Sequence, residues 1–120
     1  MMAGEPVSFE DMGDVTVAAV LSAEITPEAS DALQEKVAEK HHQHAAAKLI
    51  LDLSRITFVG SVALGALVLL LKRVKEDGGR LALAGLNDSC RRVLQVVELT
   101  RVFELCADVP GAVEAMGRPV

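Results

Sequence analysis

The chain has no tryptophan or tyrosine and three phenylalanines, so aromatic residues make up 2% of it. A protein that grips single-stranded nucleic acid needs aromatic platforms on which bases stack, and these are nearly missing. An excess of basic charge is missing as well: the formal net charge is -5, the wrong sign for a phosphate-backbone binder. Nucleic acid is not expected as a direct partner. Cysteine is scarce. Cys90 and Cys106 form no C-x-x-C pair and have no metal-ligand spacing. The start, Met1-Met2-Ala3-Gly4-Glu5, has neither the basic residues nor the apolar stretch of a signal peptide, so free thiols suggest a reducing cytoplasm. A long apolar run is absent too. The thirteen residues Val59 to Leu71 hold one polar side chain, Ser61. As a helix they would extend about 20 Å against a hydrocarbon core of about 30 Å. The run is expected to be a buried core helix, with no membrane span.

What the chain does have is aliphatic residues in strand and helix patterns. At 120 residues it is expected to be one domain, with a core over 6–117 built from Val, Leu, Ile and Ala. Val7 and Phe9, then Val15, Val17, Ala19 and Leu21, alternate around Met12-Gly13-Asp14 and predict an antiparallel hairpin with one buried face. Thr26-Pro27 is a helix start, with a hydroxyl cap followed by a proline whose missing N–H costs nothing there. Ala29, Leu33 and Val37 follow at spacing four, with Ala32 beside them and Glu28, Asp31, Glu35, Lys36 and Glu39 outside. Lys48 to Leu53 reads as a strand buried on both faces.

A helix is predicted from Ser61 to Asp77, stopped by Gly78-Gly79, and a strand from Arg80 to Ala84 completes a right-handed βαβ unit. Asn87-Asp88 caps a third helix with Cys90, Val93, Leu94 and Val97 on one face. Val102–Leu105 is a short strand, and Asp108 caps a last helix ending near Met116. The expected fold is α/β, a mixed β-sheet of four to five strands flanked by about four helices.

The chemistry centres on Ser61. A serine at a helix start is a favoured cap, worth about 1 kcal/mol against alanine. It can instead carry a phosphate, which free amides and the positive end of the helix dipole would accommodate. Other constellations carry less. Every histidine precedes residue 45, so none follows Ser61 in the order an α/β-hydrolase triad requires. Gly60-Ser61-Val62-Ala63 lacks the second glycine of a nucleophile elbow, and Gly78-Gly79 is turn chemistry and not a phosphate loop. His41 and His44 sit in a polar helix end, where dipole effects alone favour them, so no metal site is assigned. Cys90 lies on an apolar stripe and reads as a small buried hydrophobe. Asp52 reads as structural and Arg91-Arg92 as a solvated helix face. No catalytic residue, cofactor site or enzyme activity is assigned.

The order of these elements resembles a known family. Asp52-Leu53-Ser54, the Ser61 helix start, Lys72-Arg73, Gly78-Gly79, Leu83-Ala84-Gly85-Leu86, Arg91-Arg92-Val93-Leu94 and Arg101-Val102-Phe103-Glu104 look like a STAS domain. Bacterial anti-sigma factor antagonists are the nearest subfamily. The resemblance implies a non-enzymatic module that binds an anti-sigma factor with serine kinase activity. It implies phosphorylation at Ser61, which breaks the complex, and a phosphatase that resets it. The usual pattern D-S-[ST]-G-L-G stands here as Gly60-Ser61-Val62-Ala63-Leu64-Gly65, and a second common acid falls at Thr26. Partner contacts are expected at Thr26, Val59, Gly60, Ser61, Val62 and Leu64, on a monomer or weak dimer. The alternatives are a STAS subunit of a lipid-transport ABC complex, or a stress-signalling scaffold, in either case without phosphorylation.

Overall fold

Short aliphatic segments separated by helices can pair only in parallel, because each helix carries the chain back to the same end of the sheet. The computed structural model describes residues 5–43 and 46–117. Its strands are β1 (Val7–Met12), β2 (Val15–Val20), β3 (Lys48–Asp52), β4 (Arg80–Ala84) and β5 (Glu104–Cys106). They form one sheet in the order β1-β2-β3-β4-β5. β1 and β2 are an antiparallel hairpin, and every later neighbour pair is parallel. The helices are α1 (Pro27–His42), α2 (Ser61–Glu76), α3 (Asp88–Val96) and α4 (Val109–Met116), with a 3-10 turn at Leu99–Arg101.

The sheet grows in one direction, so right-handed crossovers must put α1, α2 and α3 on the same face. The packing agrees. Leu33, Leu67, Leu70 and Leu94 share one core with Leu49, Leu51, Leu81 and Leu83 of the sheet. The other face belongs to α4. There Ala112 and Met116 pack on Val15, Val17, Ile50, Ala82 and Ala84. Period-two alternation explains the division: in β4, Leu81 and Leu83 face the three crossover helices, and Ala82 and Ala84 leave room for α4 to lie close. Arg80 fastens this edge. Its guanidinium makes a two-pronged contact with Glu104 at 2.6 and 3.1 Å, which holds Arg80 protonated to still higher pH than usual.

Three local expectations are corrected. The hairpin does not have one buried face. β1 is the sheet edge and only Val7 of it is buried, whereas β2 is covered on both sides. Phe9 is 37% exposed, with the Lys36 ammonium 4.8 Å above its ring. The last strand begins at Glu104 and not at Val102, because the 3-10 turn draws the amides of Val102 and Phe103 onto the Leu99 carbonyl. Val97 leaves the apolar stripe of α3, because it is that helix's C-cap and lies exposed.

Candidate functional site

The segment between β3 and α2 is fastened along its length. Asp52 accepts a hydrogen bond from the Ser54 amide at 3.0 Å, and the Ile56 amide donates to the Leu53 carbonyl. Leu53 and Ile56 are buried anchors. The Thr57 amide then donates to the Ala23 carbonyl at 2.8 Å, tying this loop to the one that leads into α1. Asn87, from the loop before α3, reaches the Ile56 carbonyl. Three loops at the carboxyl ends of β2, β3 and β4 therefore hold one another, and α2 starts from a braced position.

That start has an unusual composition. Gly60 is the N-cap and contributes no side-chain bond. Ser61 is the first helical residue, exposed, and its hydroxyl caps nothing. Of the two roles open to Ser61 in the sequence, capping is thus not the one adopted. The other starts are built differently: Thr26, Asn87 and Asp108 each accept a hydrogen bond from an amide in the first turn of their helix.

A groove of about 430 Å³ lies beside Ser61. Thr26, Gly60, Ser61 and Val62, four of the residues expected to meet a partner, line it together with Glu24, Pro27 and Phe58. The other two, Val59 and Leu64, do not line it. Val59 is 4% exposed and belongs to the core, and Leu64 is half-buried against that core. Phe58 is the residue that pattern reading missed. It is 58% exposed at the groove's edge, and its only signal in the sequence was rarity, since the chain has three phenylalanines. Val62 beside it is 67% exposed. The lining is apolar apart from Ser61, Thr26 and the carboxylate of Glu24.

A second cleft, about 370 Å³, runs between the C-terminal halves of α1 and α2, with Val37 and Leu69 facing Lys72, Arg73 and His41. His41 is engaged there by Asp77 at 2.9 Å, and His44 lies outside the described residues. No three metal-ligating side chains converge among the described residues. Burial pushes both the Cys90 and Cys106 thiols up, so each favours the neutral form. No helix of the described residues is long and apolar enough to cross a membrane.

Among known proteins, the profile of the STAS domain matches residues 12–112. The chain belongs to the STAS domain family. A Thermotoga maritima protein named as a candidate anti-sigma factor antagonist is 32% identical to this STAS domain over 71 residues, which is 59% of this chain. The match spans 63% of that relative's length. Among solved structures, an anti-sigma-factor antagonist (STAS) domain protein from Planctomyces limnophilus superposes with a TM-score of 0.77 at 27% identity. That likeness covers 93% of this chain and 98% of the other. The Bacillus cell fate determinant SpoIIAA in its phosphorylated form shares the fold at a TM-score of 0.70 and 20% identity, over 91% of this chain and 97% of that one. The mixed five-stranded sheet with four helices is thus the STAS fold.

Proposed function

We propose that this STAS domain is a regulatory binding module that captures an anti-sigma factor with serine kinase activity, using the groove at the start of α2. Phosphorylation of Ser61 by that partner ends the complex, and a phosphatase restores the binding form. The module works in the cytoplasm as a monomer or weak dimer and catalyses no reaction itself.

One observation carries the reading: the Ser61 hydroxyl is exposed at the first turn of α2 and has no capping duty, beside a groove with an apolar lining. A phosphate there meets unpaired amides and the positive end of the helix dipole, so the free domain tolerates it. A partner covering the groove would have to desolvate nearly two negative charges. A hundredfold loss of affinity needs about 2.7 kcal/mol, well within what one unpaired buried phosphate supplies. The named relatives, candidate or known anti-sigma factor antagonists, support the choice of partner class.

The test is to incubate the domain with an anti-sigma factor kinase of the source genome and ATP, and to map modified residues by mass spectrometry. Incorporation at Ser61 that disappears in Ser61→Ala is expected. Absent incorporation, or incorporation that survives Ser61→Ala, contradicts the switch.

A further inference from the structure

The glycine at position 60 is not required by the backbone. Its φ of -101° and ψ of -172° are extended values open to any residue. Nor is it the best cap, because serine, asparagine and aspartate stabilise a helix start more than glycine does. Among the described residues, α3 and α4 follow that preference with Asn87 and Asp108, and α1 still uses a side-chain cap, Thr26. What does require glycine is Phe58. A β-carbon at position 60 would stand 2.9 Å from Phe58 Cε1 and 3.3 Å from Cζ, inside ordinary contact distance. The bare Cα of Gly60 is therefore the seat of the ring, in a position where better helix caps are forgone.

The seated ring is also where a partner would meet it. Phe58 is 58% exposed, and Val62 and Pro27 line the same groove. A half-exposed aromatic on a fixed support, flanked by apolar neighbours, has the form of a binding anchor. The carboxylate of Glu24 is the one charged group on the lining, so a partner that fits presents an apolar side chain here and not a cluster of charges. We infer that Phe58, held in place by Gly60, is the specificity-determining residue of this docking site, and that the anti-sigma factor kinase it accepts meets the ring with an apolar contact. Gly60 is a positioning residue that acts through the ring. The inference rests on the partner class given above.

The substitutions separate the two roles without endangering the fold. The atoms that would meet a β-carbon at position 60 are the far end of a flexible side chain, so Gly60→Ala swings the ring aside and leaves the backbone intact. The anti-sigma factor kinases encoded in the source genome, purified one by one, are titrated with the parent, Phe58→Ala, Gly60→Ala and the double variant. A non-hydrolysable ATP analogue keeps Ser61 unmodified, and the melting temperature of each variant is recorded. One kinase is expected to bind the parent, and Phe58→Ala to weaken it by about thirtyfold or more, as loss of an aromatic anchor does. Gly60→Ala is expected to weaken binding about tenfold while the melting temperature moves by no more than about 4 °C, because the poorer alanine cap is partly offset by the stiffer unfolded chain, and the double variant to bind no worse than Phe58→Ala alone. Unchanged binding by Phe58→Ala overturns the inference and leaves the partner class standing. Full additivity in the double variant overturns the role of Gly60 as seat. Failure of every kinase to bind the parent overturns the underlying reading, and the inference with it.

Discussion

Both ends of α2 carry glycine, and the two glycines have opposite causes. At the start, a side chain on Gly60 would press on the movable ring of Phe58 at 2.9 Å. At the end, a side chain on Gly79 would stand 2.2 Å from the backbone carbonyl oxygen of Ala47, which cannot move aside. That oxygen already accepts the Arg80 amide at 2.8 Å, at the point where β4 joins β3. One glycine shapes a surface, and the other lets two backbones approach. The contrast teaches that the stop of α2 is structural, whereas its start keeps latitude for binding.

The sharpest way to break this contrast is Gly79→Ala. The added carbon must push β3 and β4 apart or distort the turn, which overpacking studies put at about 3 kcal/mol. For a domain of this size that is about a 10 °C fall in melting temperature, readable by thermal denaturation. Gly60→Ala, carrying the same added atom, is expected to cost no more than about 1 kcal/mol, the poorer alanine cap being partly offset by a stiffer unfolded chain. If the two variants melt alike, the distinction between the ends of α2 is wrong.

The helix starts give the next largest effect. Thr26 accepts the Ala29 amide at 3.1 Å, and its loss in Thr26→Ala leaves that amide without its cap, at a cost of about 1 kcal/mol. Ser61→Ala removes a hydroxyl that caps nothing, so stability is expected to stay within about 0.5 kcal/mol of the parent. Urea titrations of the two variants side by side measure the difference. A Ser61→Ala loss equal to that of Thr26→Ala would mean that Ser61 is a cap after all, and the case for it as a free phosphoacceptor would weaken.

Much of this is legible in the residues alone. Caps at Thr26, Asn87 and Asp108 are local chemistry, a side chain bonding an amide three residues on, so the residue type alone announces them. The strands at 48–52 and 80–84 were equally plain, because strands buried on both faces read as unbroken aliphatic runs. What stayed hidden depended on tertiary contact. Phe9 and Val7 are two residues apart on one strand, yet only Val7 is buried, whereas Phe9 stays 37% exposed at the sheet edge under the Lys36 ammonium. Val59 was expected at the surface because it precedes the site, but the braced loop turns it into the core and leaves Phe58 outside. Which of its two roles Ser61 takes stayed open in the sequence, since the cap, Gly60, has no side chain to signal its position.

The smallest expected effect concerns the end of α3, compared with that of α2. Both helices finish with a left-handed residue that donates its amide back to the carbonyl three positions earlier, Gly78 to Lys75 and Glu98 to Gln95, each at 3.0 Å. Glycine takes this conformation freely, whereas Glu98, at φ 61°, places its β-carbon against the backbone. The conformation persists because Leu99, the next residue, packs against the core that includes Leu94 and so holds the chain in its turn. Glu98→Gly relieves the strain but adds freedom to the unfolded chain, which offsets part of the gain. The net is a stabilisation of about 0.5 kcal/mol, a rise of about 2 °C in melting temperature. A fall instead would show that the Glu98 side chain contributes an interaction worth more than the strain it imposes, and the two helix ends would then differ in kind.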